Sequence, residues 1–560
     1  MKPLYMGIDI GTSSVRAVLF DEQGHTQKAS SVEYSLLGAN GVAELRPDEI
    51  LDGLIKCVED IAGASDGTAP AEAASGLSAR VGESAIGLSA PNDSTFIAAA
   101  GISCQMHSLM CVDADGAPLT NLITWADTRA TKQADEILAS GRVDELYKIT
   151  GCRVQHPMYP LAKLIWLREN EPAIFSKAAK FITIKEYILH KFFGEYVVDY
   201  TLAASQGYFD INKNEWSEVV LRDFAGIGVE KLSRAVECTH VLKSMKPEFA
   251  DFDIPFVIGS GDGIMANLGC GVADDTALSV TVGTSGAVRT SVKAPLLDKE
   301  QRTWCYSFTN DTWVAGGATN SGGIALKYLR DRLGAQLLED AGRMCADEAE
   351  SAHCLDAGRM CADEAESAHR SGITRFAPGQ EYEAMDYLAS QVPAGCDGLV
   401  FLPYLMGERS PDWNPKVRGM MAGLELSHGN GHICRAAMEG VIFRLYSVYK
   451  SMAAINSNAT QIRATGGIVK SEFWMQILAD VFGKEILVAK TQEGAALGAA
   501  FTAMVAVKAV AGFSDLLEAM HPVKSITPRA EAHFVYAQAY ERAMELYESN
   551  NKWMKTQEES

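Results

Sequence analysis

Two segments about half a chain apart follow one plan. Ile8-Asp9-Ile10-Gly11-Thr12-Ser13-Ser14-Val15-Arg16 and Val280-Thr281-Val282-Gly283-Thr284-Ser285-Gly286-Ala287-Val288-Arg289 each read as an apolar strand, a Gly-Thr-Ser turn and a second strand carrying an arginine. The pair points to two domains built on one ancestral pattern, unless Gly-Thr-Ser is only a common turn met twice. Length argues the same way, because 560 residues are too many for one ordinary core. The boundary is expected near residue 253, dividing the chain into residues 1–253 and 254–560.

Punctuation and periodicity fill in the plan. Residues 4–10 and 15–20 read as strands, with Asp21-Glu22-Gln23-Gly24 as the following turn. Pro47 opens a helix whose apolar residues Leu51, Leu54, Ile55, Val58 and Ile61 keep helical spacing. Residues 62–95 are mostly Ala, Gly, Ser and Thr, the composition of a linker-like insertion. Asp113-Ala114-Asp115-Gly116 suggests a hairpin turn. From residue 254 a buried strand, a Gly-rich turn and a helix lead into a strand at 278–282. Residues 340–353 and 356–369 are the same fourteen residues. Two copies are too few for a solenoid, so they read as a local duplication on a surface helix.

Charge and cysteine usage exclude several classes. Against 50 Lys and Arg stand 71 Asp and Glu, a formal charge of −21. Such a surface repels nucleic acid and anionic lipid, while a few donors in a cleft can still hold a small anion. No apolar run approaches the ~20 residues of a membrane span, and the N-terminus lacks the plan of a signal peptide. The 12 cysteines include no Cys-x-x-Cys pair, so neither a zinc site nor a disulfide framework is visible. A cytoplasmic chain with reduced thiols is expected.

The chemistry concentrates in glycine turns and nearby carboxylates. Gly11-Thr12-Ser13-Ser14 can hold phosphate, since glycine admits an anion to the backbone and its neighbours supply N–H and hydroxyl donors. Arg16 adds a charged donor. Asp9, ending the first strand, is placed to hold Mg²⁺ through water, or is an ordinary capping aspartate. Gly283-Thr284-Ser285-Gly286 repeats the device. Gly316-Gly317, Gly322-Gly323 and Gly466-Gly467, the last followed by Lys470 and Ser471, mark turns that a nucleotide can approach or that merely pack tightly. Neither a P-loop nor a Gly-x-Gly-x-x-Gly turn is present. Gly259-Ser260-Gly261-Asp262-Gly263 puts a carboxylate on a Gly-rich turn after a buried strand. There it serves either as a base for phosphoryl transfer or as a helix N-cap.

With these residues in view, the chain resembles the FGGY family of carbohydrate kinases over nearly its whole length, the insertion and the duplication excepted. Met158-Tyr159-Pro160-Leu161-Ala162-Lys163-Leu164-Ile165-Trp166-Leu167-Arg168-Glu169-Asn170 matches the family's first signature. Residues 419–439, with Gly423-Leu424, His432-Ile433 and Ala436-Ala437-Met438-Glu439, match the second. The resemblance implies an α/β fold of two actin-like, ribonuclease-H-like ATPase domains with ATP and Mg²⁺ in the cleft between them. It implies that Thr12, Ser13, Ser14 and Arg16 contact the phosphates, and that Thr284, Gly323, Gly467 and Ser471 contact the nucleotide. Asp262 takes the family's catalytic-aspartate position and, with Asp9, lies toward the metal.

Within the family, Gln105-Met106-His107-Ser108, Ile123-Thr124-Trp125-Ala126-Asp127-Thr128-Arg129, His156-Pro157-Met158, Ile184-Lys185-Glu186-Tyr187 and residues 195–200 resemble the gluconate-phosphorylating branch. Gln105, His107, Trp125, Asp127 and Arg129 are the residues expected at the sugar, or else satisfied structural polar groups. No one cation is singled out for the carboxylate. The expected partner is a small sugar acid, with a homodimer left open. The rivals are a xylulose or other polyol kinase, a catalytically silent sugar-binding regulator, and an actin- or chaperone-like ATPase.

Overall fold

The computed structural model of the chain describes residues 2–39, 41–62, 95–252, 254–356, 376–489, 493–515, 520 and 522–558. The chain forms two compact units. One comprises Met1–Leu278, Arg289–Gly316 and Ala489–His521; the other comprises Ser279–Val288, Gly317–Val488 and Pro522–Ser560. Residues 254–278, read from the sequence as the start of a second domain, thus pack with the first unit. The reason is strand pairing: Phe256–Gly261 lies parallel to Thr95–Cys104 in the first sheet.

That sheet has six strands, in the order Val241–Leu242, Phe256–Gly261, Thr95–Cys104, Lys2–Ile10, Ser14–Phe20 and Thr26–Glu33. Lys2–Ile10 and Ser14–Phe20 form the expected hairpin, Asp9 opposite Arg16 and Ile10 opposite Val15. Pro47–Ala62 is the expected helix, with Leu51, Leu54, Val58 and Ile61 buried. Most of the 62–95 insertion lies outside the described residues.

The turn at Asp113–Gly116 closes through Gly116 N to Asp113 O at 3.1 Å. Its flanks form the expected hairpin as a short one, Val112 bridging Pro118 while Asp113 N donates to Ala117 O at 3.0 Å and Leu119 N to Cys111 O at 2.8 Å. Met110–Val112 also pairs antiparallel with Lys180–Ile182, which satisfies backbone groups that the short hairpin leaves over.

One face of the first sheet is covered by a helix from far along the chain. Gly494–Ala506 is rich in Ala and Gly and buried over most of its surface. Its backbone lies so close that a Cβ on Gly7 would sit 1.9 Å from Ala496 O, and one on Gly101 2.0 Å from Ala499 O. Helix Asp262–Gly269 packs on the same helix with equal closeness: a Cβ on Gly498 would meet Met265 O at 2.0 Å. Small residues on both sides allow this approach, which larger side chains would prevent.

In the second unit, Gln461–Gly466 and Ile486–Val488 are parallel, and Lys524–Ile526 runs antiparallel to the latter. Helix Asn430–Ile455 carries much of the core, including Met438, Ile442, Leu445, Val448 and Met452. The first copy of the duplicated segment lies in helix Ile324–Asp356; the second lies almost wholly outside the described residues. Among the described residues no helix is long and apolar enough to cross a membrane, and the ten cysteines whose side chains are described are free.

Candidate active site

In the first unit the turn at Gly11 is closed by Gly11 N donating to Ser14 O at 2.9 Å. Side chains hold it from outside. Gln105 Nε2 and the Tyr34 hydroxyl both donate to Gly11 O, at 2.9 and 2.5 Å. Trp125 Nε1 donates to Thr12 Oγ1 at 3.0 Å, and that hydroxyl lies 3.5 Å from Gln105 Oε1. Gln105 and Trp125, expected at the sugar, thus have polar atoms on the Gly11–Ser14 turn. Arg16, expected at a phosphate, pairs with Glu493 at 3.1 Å with both side chains well exposed.

Asp9, one residue before the end of strand Lys2–Ile10, has its Oδ1 accepting from Ser103 Oγ at 2.7 Å. Burial pushes its carboxyl above the usual carboxylate range, against the pull of Ser103 and Arg16. A cation beside it would relieve that desolvation. Among the described residues no group of three or more His, Cys, Asp or Glu could hold a metal. One carboxylate nevertheless fits an ion that keeps its waters and takes its remaining ligands from substrate phosphates.

The candidate sugar segment is tied together from within. His107 adopts φ +61° and its Nε2 lies 2.9 Å from the Tyr306 hydroxyl, itself 3.1 Å from that of Tyr159. Asp127 is fully buried. It accepts from Ala43 N at 2.8 Å and takes the guanidinium fork of Arg129, whose Nη2 also reaches Glu44. The guanidinium lies over the Trp166 ring, 5.0 Å from its centroid. Asp127 and Arg129 therefore neutralise each other and brace the loop. Lys163, wholly buried, donates to Met158 O, Thr124 O and His107 O at 2.7, 2.8 and 3.3 Å. One ammonium thus joins the His107 and Trp125 loops.

Asp262 stands at the junction of strand Phe256–Gly261 and helix Asp262–Gly269. Gly261 takes the N-cap position and Asp262 opens the first turn, so the carboxylate is not the cap itself. Gly263 N donates to its Oδ1 at 2.6 Å, and a Cβ on Gly263 would meet the Arg289 guanidinium at 3.1 Å. The strand reaches Asp262 through Gly259, at φ +62°, where a Cβ would lie 1.9 Å from Ile102 O. Only glycine fits there.

In the second unit the other hairpin is closed by Gly283 N to Ser285 O at 2.9 Å and held by main chain. Gly323 N donates to Gly283 O at 2.7 Å, and Ile324 N donates to Thr284 O at 3.1 Å. A Cβ on Gly322 would lie 2.6 Å from the Ser285 carbonyl carbon, and one on Gly466, at φ +89°, would lie 2.6 Å from Val282 O. Thr284, Gly323 and Gly467 thus belong to one glycine-lined cradle that side chains would fill. Ser471 serves the fold directly by capping helix Glu472–Phe482, its Oγ accepting from Trp474 N at 2.9 Å. Burial pushes the nearby Asp386 carboxyl up to about 6, with the Ser471 hydroxyl opposing.

The residues that sequence reasoning left without a role are Lys163, Lys185, Tyr306 and Arg289. Lys163 and Lys185 each stand in an apolar helical stretch. A lysine there has to be buried with partners or reach out past its neighbours, and that was the available signal.

Known proteins agree over the whole length. A model of the FGGY family of carbohydrate kinases, N-terminal domain, matches residues 4–269, and one of its C-terminal domain matches residues 278–507. The gluconokinase of Bacillus subtilis (strain 168) is 34% identical over 100% of this chain and 97% of its own. The xylulose kinase of the same organism is 25% identical over 89% and 87%. Two crystal structures from Lactobacillus acidophilus, a gluconate kinase and a ligand-bound xylulose kinase, each align with TM-score 0.79, 29% identity and 98% coverage of both chains. The protein is a carbohydrate kinase, a phosphotransferase that uses ATP. More narrowly, it belongs to the FGGY family, with the actin-like, ribonuclease-H-like ATPase fold in two domains.

Proposed function

We propose that the chain phosphorylates a sugar acid, with D-gluconate as acceptor and 6-phospho-D-gluconate as product. The observation that carries the choice is the similarity to a gluconokinase, 34% over the full chain, against 25% for a xylulose kinase. Asp262 is the general base. It takes the proton of the attacking hydroxyl as that oxygen bonds to the γ-phosphorus and the bond to the β-phosphate oxygen breaks, releasing ADP. Its place at a strand–helix junction supports this role, because rigid elements on both sides fix the carboxylate.

Thr12, Ser13 and Ser14 hold phosphate oxygens, and Thr284, Gly323 and Gly467 the nucleotide. Mg²⁺, when bound, neutralises phosphate charge, with Asp9 as its protein neighbour through water. Arg16 joins the phosphates by leaving Glu493, an exposed pair that costs little to break. Gln105 and Trp125 bridge the two substrates, each presenting one edge to the phosphate turn. His107 meets the sugar, while Asp127 and Arg129 brace its loop.

The test is ADP release with ATP and Mg²⁺ across gluconate, xylulose, glycerol and ribulose, for wild type and Asp262→Asn side by side. Gluconate should dominate, and the variant should lose about 10²–10⁴-fold in kcat with ATP binding nearly intact. Preference for xylulose would move the acceptor to the second reading; a xylulose kinase structure and a gluconate kinase structure align equally well, each at TM-score 0.79. A flat panel from folded protein would favour a silent regulator.

A further inference from the structure

Lysine and aspartate are almost never fully buried unless paired. Lys185 and Asp199 are both without exposed side-chain surface, Nζ lying 2.7 Å from Asp199 Oδ2. Such a pair is weak ground for a stability argument, since desolvation offsets the attraction. The informative contacts are the other two. Nζ also donates to Ile258 O at 2.9 Å and to Ser260 O at 3.2 Å.

Those carbonyls flank Gly259, where strand Phe256–Gly261 slips register against Thr95–Cys104 between Val257 and Ser260. A bulge removes backbone groups from the ladder, and buried carbonyls need donors. Lys185 meets both with one ammonium, so that all three of its protons have acceptors. Asp199 extends the clamp. Its Oδ1 accepts from Leu202 N at 3.1 Å, capping helix Tyr200–Ala204, and Thr201 on that helix donates its hydroxyl to Ser307 O. The clamped strand ends at the residue before Asp262.

We propose that Lys185 is a positioning residue for phosphoryl transfer: by holding the bulge at Gly259 it sets the direction in which Asp262 leaves the strand. The inference rests on Asp262 acting as the base. It gives a buried lysine that touches no substrate a specific effect on the chemical step.

The test is a double-mutant cycle with Lys185→Met, Asp262→Asn and the two combined, on full-length protein whose folding is checked by thermal melting. Lys185→Met should lower kcat by about 10–100-fold with KM for ATP within about twofold. Combined with Asp262→Asn it should cost nothing further, because one residue acts through the other. A Lys185→Met loss that multiplies the Asp262→Asn loss, or that appears in KM alone, overturns the proposal and leaves the base assignment standing. Near-normal activity in Asp262→Asn overturns both.

If Lys185→Met does not fold, Asp199→Asn takes its place, since an amide oxygen can still cap Leu202. A kcat loss that vanishes in the Asp262→Asn background then supports the proposal, and an equal factor in both backgrounds overturns it.

Discussion

The two Gly-Thr-Ser hairpins share a sequence and differ in how much side chains add to the main-chain bonds that hold them. Around Gly11, main-chain bonds from Tyr34 N to Ser13 O and from Gln105 N to Ile10 O are joined by side chains: the Gln105 amide, the Tyr34 hydroxyl and the Trp125 indole N–H. Around Gly283 the support comes from backbone, with Gly323 N and Ile324 N as donors and glycines where a Cβ would collide. A turn held by side chains can be weakened one bond at a time. A turn held by close-packed backbone has no such gradation, since its smallest change is already a clash.

The largest break should come at the backbone-held turn. Gly466→Ala places a Cβ 2.6 Å from Val282 O at a φ of +89°. The strained conformation alone costs about 1–3 kcal/mol, and the overlap adds to it. We expect a lowered melting temperature and ATP affinity down by more than about tenfold, read by calorimetry and ATP titration. A variant that binds ATP normally would remove the distinction between the hairpins.

Next is Lys163, which joins the loops that brace the first turn. Burial pulls its ammonium down to about 7, with Asp127 opposing and Arg129 adding to the fall. The folded pKa then lies below the unfolded value of about 10.4, so the unfolded chain binds more protons between those limits. Stability from this group is complete above the unfolded pKa and is lost as pH falls through about 7. Wild-type stability relative to Lys163→Met should rise with pH across that window, by at most about 1.4 kcal/mol per pH unit, in denaturant titrations. A flat difference would mean that the three carbonyls keep the ammonium charged.

Trp125→Phe removes one hydrogen bond to Thr12 and keeps a smaller aromatic ring in its place. About 1 kcal/mol, or roughly fivefold in KM for ATP, is expected, with ATP-free melting almost unchanged. Smallest in stability is Arg16→Gln: its partner Glu493 is exposed, so the change should stay within about 0.5 kcal/mol. A raised KM for ATP in that variant would mark the arginine as a phosphate ligand, and an unchanged KM would leave it a surface residue.

Much of the first hairpin was legible because it is local. Apolar alternation on either side of Gly-Thr-Ser dictates two strands, and glycine dictates the turn. The position of Asp262, where a buried strand meets a helix, was legible for a similar reason. What stayed hidden depends on segments meeting in space. Nothing local to Asp127 says that Arg129 and Glu44 will enclose it, and nothing near Gly7 announces Ala496. The boundary near residue 253 followed a compositional restart, whereas the first sheet takes in the strand at 256–261 and a helix from beyond residue 490. The short hairpin at Asp113 was legible from its turn residues, whereas the pairing of Met110–Val112 with Lys180–Ile182 was not, because that partner comes from far along the chain.

Helix Gly494–Ala506, on which both Gly7 and the helix of Asp262 rest, also sets a timetable. At about 5–20 residues per second on the ribosome, roughly 25–100 s pass between the emergence of the first strand and that of this helix. Through that interval the nascent sheet lacks the cover of the helix, and its apolar surface is a target for chaperones or for neighbouring chains. A stop codon shortly before Gly494 would leave every residue of the first hairpin and Asp262 in the product, and take away the floor on which they stand.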